Sequence, residues 1–215
     1  MRKILAFLLL SSTAFAAAYT AESEFSVANG NPNGVWAYGY RVGTNPAFTN
    51  FTNTEVDFAG IPGFDRWHTG LSNSGDPLYY LGVYLHPSGQ LLLHPSNSTE
   101  RSVVRFIAPN AGTWVVNATF SDGDNATTSV DIQRDGDAGF LFSDFVTNDS
   151  STSYKGSVSL AAGQSLDFIV GNNGNHNNDS TLLSLTISEV PEPETFLLLG
   201  GALVTVSAFH RRRLG

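Results

Sequence analysis

Seven short runs between Arg101 and Ser188 place apolar side chains at every second position, and this pattern constrains the fold more than any other feature of the chain. In GTWVVNATFSD, Trp114, Val116, Ala118 and Phe120 alternate with Val115, Asn117 and Thr119. That is the period of a strand buried on one face, because successive side chains of extended backbone point to opposite sides. Val104 and Phe106 repeat it in RSVVRFIAP, Val130 and Ile132 in TTSVDIQ, Leu166, Phe168 and Val170 in QSLDFIVG, and Leu183, Leu185 and Ile187 in TLLSLTIS. GFLFSDFV and SYKGSVSL complete the set, and turn-forming clusters (PNAG, SDGDN, RDGDAG, AAGQ) separate the runs. No stretch of ten or more residues in this body follows a helical period. Short strands so punctuated predict an all-β chain, an antiparallel β-sandwich of the jelly-roll type.

The first half is less regular. Trp36, Tyr38 and Tyr40 share one face of VWAYGYRV, and NFTNTEVDF is a further candidate strand. From Gly60 to Thr99 the turn-rich segments IPGFDRWHTG, LSNSGDP and LHPSG read as long loops around one strand candidate, YYLGVYL. The chain has no cysteine, so its body must hold together through its core or through bound metal.

Charge and hydropathy set both ends apart. MRKILAFLLLSSTAFA has two cations, an apolar stretch from Ile4 to Leu10, and small residues at Ala14 and Ala16. It reads as a signal peptide over residues 1–16, removed by signal peptidase after Ala16. Residues 17–189 form the expected ectodomain, long enough for one domain with a sizeable core. All nineteen acidic residues and only six of the eleven cations lie between Glu22 and Glu194, a formal charge of −13 against −8 for the whole chain. Such a surface repels nucleic acid and anionic lipid, and it attracts divalent cations.

At the other end, Phe196 to Phe209 is an apolar stretch of fourteen residues. As a helix it spans about 21 Å against a hydrocarbon core of about 30 Å, a short transmembrane hold at 196–209. Arg211, Arg212 and Arg213 follow it and would stay on the cytoplasmic side, leaving the acidic body outside. Pro191 and Pro193 keep the preceding segment extended.

Val190, Pro191, Glu192 and Pro193, followed by the apolar segment with paired glycines and the terminal arginines, resemble a PEP-CTERM sorting signal over residues 190–215. Tails of this kind are also catalogued as an ice-binding-protein C-terminal domain. The resemblance implies recognition by an exosortase, a membrane-embedded cysteine transpeptidase-like enzyme that cuts near the Pro-Glu-Pro triplet. It implies a transient stay in the inner membrane and then the cell surface or extracellular matrix of a bacterium that makes exopolysaccharide. The body, roughly Phe25 to Ile187, resembles a body shared by many secreted proteins with this tail, which marks a fold family more than an activity.

Within the body the chemistry is sparse. There is no thiol nucleophile and no G-x-S-x-G elbow, and the histidines lack H-E-x-x-H spacing. The expectation is therefore a non-catalytic protein that binds exopolysaccharide. The alternatives are a structural or adhesive surface protein with protein partners, and a glycan-acting enzyme working with paired carboxylates. Trp36, Tyr38, Trp67 and Tyr80 are the candidate sugar platforms, with Tyr79, Tyr84 and the Asn172, Asn173 and Asn175 loop beside them. Aromatic residues alternating along a strand equally serve as core; Trp67, in PGFDRWHTG, is the one expected to be exposed. Asp122 and Asp124, in an oxygen-rich loop, are the candidate ligands for a structural Ca²⁺, the single cofactor expected. Acids in such loops also serve as plain turn residues.

Overall fold

The structure, a computed structural model, describes residues 16–44, 47–70, 78–125, 127–174 and 178–191. In chain order the strands are β1 (Ala18–Thr20), β2 (Trp36–Val42), β3 (Thr49–Asn50), β4 (Asn53–Glu55), β5 (Asp65–His68), β6 (Gly82–Leu85) and β7 (Leu91–His94). They continue with β8 (Glu100–Ile107), β9 (Gly112–Asp122), β10 (Thr128–Arg134), β11 (Phe142–Val146), β12 (Ser151–Leu160), β13 (Ser165–Gly171) and β14 (Thr181–Glu189). Helix among the described residues is confined to one turn of α-helix, α1 (Ala21–Glu24), and a 3₁₀ turn at Phe58–Gly60.

The strands form two antiparallel sheets. One runs β12-β9-β14-β7-β6-β5-β4, with β1 also paired to β14; the other runs β11-β10-β13-β8-β2-β3. From β7 onward the chain passes repeatedly from one sheet to the other, and β10 and β11 are the consecutive pair that stays in one sheet. β14 shares one edge between two partners: β7 pairs with Thr181–Leu183 and β1 with Thr186–Ser188. In the gap between them, the Leu185 N–H donates to the Glu22 carboxylate of α1 at 3.0 Å.

The period-two residues build the core. Trp114, Val116, Ala118 and Phe120 of β9 and Leu183, Leu185 and Ile187 of β14 face Val104 and Phe106 of β8, Val130 and Ile132 of β10, and Leu166, Phe168 and Val170 of β13, all buried in one cluster. At its centre Phe106 meets Trp114 edge-on at 5.2 Å and Trp36 at 5.4 Å. Such aromatic pairs are worth about 0.5–1.5 kcal/mol beyond the area they bury.

All seven second-half runs form strands where the sequence predicts them. The first half departs from expectation in two places. NFTNTEVDF does not form one strand: Phe51, 2% exposed, plugs into the core between β3 in one sheet and β4 in the other. Gly60 to Thr99 is not loop around a single strand but also contributes β5 and β7, which flank β6. In β7, Leu91 and Leu93 enter the main core while Leu92 joins a second apolar cluster on the opposite face. Apolar residues on both faces erase the alternation that would reveal the strand.

Among the described residues no helix is long and apolar enough to cross a membrane. Residues 1–15 of the expected signal peptide, the 196–209 segment, Glu192, Pro193, Arg211, Arg212, Arg213 and Asn175 lie outside the described residues.

Candidate functional site

The predicted aromatic platforms separate by the face of the sheet they occupy. Trp36 and Tyr38 are fully buried on the core side of β2. The Trp36 indole N–H donates to the Glu24 carboxylate at 3.2 Å, and burial pushes the Tyr38 phenol pKa far up, with nearby Glu24 adding to it. Trp67 is not exposed as the sequence suggests. It lies on β5, 5% exposed, with its ring stacked 6.5 Å from Tyr38 and its N–H donating 2.9 Å to the Ser26 carbonyl. These three rings hold the two sheets together and present no surface to a ligand.

Tyr79, Tyr80 and Tyr84 come together on the other face of the same sheet. There Arg66, 1% exposed, is the organising group. Its guanidinium donates twice to Glu55 Oε2, at 2.9 and 2.6 Å, and to the Tyr79 carbonyl at 2.9 Å. It stacks 3.8 Å over the Phe58 ring. One cation thereby pins the 3₁₀ turn and the Leu78–Leu81 turn onto the sheet. Tyr84 is consumed in this cluster: its hydroxyl donates 2.7 Å to the Tyr80 carbonyl, and burial raises its pKa to about 12.

Tyr80 is what remains open. It is 44% exposed, edge-on to Tyr79 at 4.7 Å and tilted against His94 at 5.5 Å. A planar ring held from two sides with its remaining surface in water suits stacking on the apolar face of a sugar. His68 shares the sheet face with His94, with Gly82 in register between them. The His68 Nδ1 accepts from the Gly70 N–H at 3.1 Å. Burial, then the neighbouring Arg66, lowers the His68 pKa, which favours the neutral ring, and acceptance at Nδ1 puts the proton of that neutral form on Nε2.

The outer face of the second sheet gathers Arg41, Arg101 and Arg105, half of the six cations of the body. Register places Arg41 opposite Arg101, and Arg105 opposite Asp167. Arg105 donates to Asp167 at 2.6 and 2.9 Å, Arg41 pairs with the same carboxylate at 2.5 Å, and Arg101 pairs with Asp131. Phe48 lies 4.0 Å over the Arg105 guanidinium. Three arginines thus share two carboxylates, Asp167 serving two of them, and the cluster forms an ion-paired framework across the face.

The loop acids hold turns and strand starts through hydrogen bonds. Asp122 clamps two turns, accepting from the Asp124 N–H at 3.2 Å and the Asp149 N–H at 2.8 Å. Asp124 turns away from Asp122 and grips the start of β14, accepting from the Ser180 N–H at 3.0 Å and the Ser180 hydroxyl at 2.8 Å. The Asn172 side chain likewise ties loops together, donating to the Ser96 and Ser98 carbonyls at 3.0 and 2.9 Å. Asp179, beside Ser180, is fully buried. Among the described residues no three acidic, histidine or cysteine side chains converge as a metal cage.

The sorting segment begins where sheet pairing stops. Glu189 donates 2.8 Å to the Ala17 carbonyl and Val190 donates 2.8 Å to the Thr113 carbonyl. Pro191, exposed and without an N–H, cannot extend the ladder.

The PEP-CTERM protein-sorting motif matches residues 189–213, so the chain carries the sorting signal that its last residues resemble. No curated protein matches it. Among solved structures it is similar to the CBM51 module from Clostridium perfringens GH95 in complex with methyl-galactose, at 11% identity over 80% of this chain and 99% of that one, with a TM-score of 0.41. It is also similar to the K1 cleaved adhesin domain of Lys-gingipain from Porphyromonas gingivalis W83, at 11% identity over 83% of this chain and all of that one, TM-score 0.37.

Proposed function

We propose that this PEP-CTERM protein is an exported, non-catalytic surface or matrix protein, freed from its tail by an exosortase, that binds extracellular polysaccharide through the Tyr80 face of its sandwich. The sorting motif carries the first part. It starts at the last hydrogen-bonded residues of β14, so a cut near Glu192 leaves the sheet intact. Signal peptidase would act at the other end, after Ala16. The membrane step is a hold by residues 196–209 that ends with that cut. The strand order, read as a jelly roll from β7 to β14, gives two sheet faces, of which the Tyr80 face bears the open aromatic ring.

Tyr80 carries the second part. Its ring is the exposed member of an otherwise buried aromatic cluster, positioned through Arg66 and Tyr84. Affinity electrophoresis of the full-length protein in gels containing the host's extracellular polysaccharide tests the assignment. Tyr80→Ala is expected to weaken retardation about tenfold, the loss of one stacking contact together with the area it covers, with the fold unchanged. Full retardation of the variant removes Tyr80 from the site.

An adhesive role with a protein partner is supported by a separate observation. Edge strand β11 exposes Phe145 at 55%, with Phe140 and Leu141 just before it. An open edge with apolar side chains is a template for a strand from another chain.

A further inference from the structure

At one end of the sandwich a carboxylate is buried without a counter-charge. Asp179 is 0% exposed, and neither of its oxygens has a hydrogen-bond partner among the described residues. Burial, and then the neighbouring Asp124 carboxylate, push its pKa up to about 7, while the Thr127 main chain works against them. The ion pairs of the described residues place arginines on other carboxylates, and none reaches Asp179. A carboxylate stripped of water, with no cation and no well-formed hydrogen bond, is strongly disfavoured, so such a group demands an explanation.

The backbone around it is locked. Asp124 holds the Ser180 N–H and hydroxyl, and the Gly123 N–H donates 3.0 Å to the Ser180 carbonyl. Gly123 has no room for a side chain: a Cβ there would sit 2.7 Å from that carbonyl oxygen. These bonds bind the 123–125 turn to the start of β14 and keep two acidic side chains together instead of letting them separate.

We propose that this end of the sandwich is a divalent-cation site, with the Asp179 and Asp124 carboxylates as its two anionic ligands. The remaining ligands are main-chain carbonyls and water, because no third acidic or histidine side chain converges among the described residues. That donor set is all oxygen, which selects a hard cation over zinc. Ca²⁺ accepts six to eight oxygens in loose geometry, whereas Mg²⁺ demands a regular octahedron and gives up its waters reluctantly, so the ion is Ca²⁺. It would join the turn carrying Asp124 to the start of β14 at Asp179 and Ser180. The proposal stands independently of the polysaccharide-binding reading.

Titration of the EGTA-stripped full-length protein with CaCl₂ at pH 8, read by calorimetry and by thermal unfolding, tests it. The expected result is one binding event and a rise in Tm of about 3–10 °C at about 10 mM Ca²⁺, for a site of about 0.1–1 mM affinity as in extracellular modules. Asp179→Asn is expected to abolish both signals while unfolding, without calcium, at or above the temperature of the unaltered protein, since it deletes an uncompensated charge. Asp124→Asn retains an acceptor for Ser180 and is expected to bind at least tenfold more weakly; it serves as the second variant should Asp179→Asn not fold. Absence of heat and of any Tm change in the unaltered protein overturns the proposal, as does an undiminished calcium response in either variant.

Discussion

Trp67 and His68 are adjacent on β5 and point to opposite faces, and their fates differ accordingly. Trp67 enters the core, where its indole N–H reaches a carbonyl 41 residues earlier in the chain. His68 stays on the outer face, yet it is only 9% exposed and lies near Arg66 and Glu55. The sequence DRWH does alternate, but four residues between glycine-rich turns are too few to distinguish from loop. The contact that buries Trp67 is non-local and invisible to any local pattern. Tyr80 was legible as an aromatic candidate, whereas its exposure was not, because it depends on which rings Arg66 draws inward.

His68 also makes the stability of the fold depend on pH. Its native pKa lies below the ordinary value of about 6.5, so below that pH the unfolded chain takes up a proton that the native state refuses. Its contribution is therefore fully present above about pH 6.5 and is lost as pH falls through that value toward the lower native pKa. Urea unfolding between pH 7.5 and 5.5 is expected to show this decline, and His68→Gln is expected to flatten it. An equal decline in the variant would assign the effect to other groups.

Strands β2, β8, β10 and β13 show how elements depend on partners distant in sequence. All seven residues of β13 are buried, although only Leu166, Phe168 and Val170 face the core. The other side is covered by the arginine framework centred on Asp167. QSLDFIVG revealed its inner face by period alone. Its outer face was not legible, since Arg41, Arg101 and Arg105 converge only through the register of three strands. The seven second-half strands were legible because each carries one polar and one apolar face or a turn signal on both sides. β7 was not, because both of its faces carry leucine, and β5 was not, because its four residues are too few to show a period.

Asp167→Asn leaves Arg41, 4% exposed, without its counter-ion. Removing one partner of a buried pair costs about 3–5 kcal/mol, because the other charge stays buried. Equilibrium unfolding is expected to show a loss of that order, partly recovered by adding Arg41→Met. A loss below about 1 kcal/mol would mean that the pair is effectively solvated.

The two ends of the described body leave the sandwich together. Ala17 and Glu189 share a hydrogen bond, and β1 lies along the last residues of β14. Ala17 and Glu189, the described residues nearest the expected processing points, thus sit at one pole. The Asp124–Asp179 site sits at the other, at the start of β14, about 30 Å away along a strand of nine residues. A body hung from the membrane by 196–209 would present that far pole, with the proposed cation site, outward. This polarity could not be read from sequence, where residues 17 and 189 are simply far apart. The sorting tail was the most legible feature, because an enzyme reads it as a linear motif and no folding is needed to assemble it.

Intact-mass spectrometry of the natural protein recovered from outside the cell tests the central claim most directly. The predicted species begins at Ala17 and ends within a few residues of Glu192, without Arg211, Arg212 and Arg213. An extracellular species that retains those arginines, or a protein found whole in the cytosol, would contradict it.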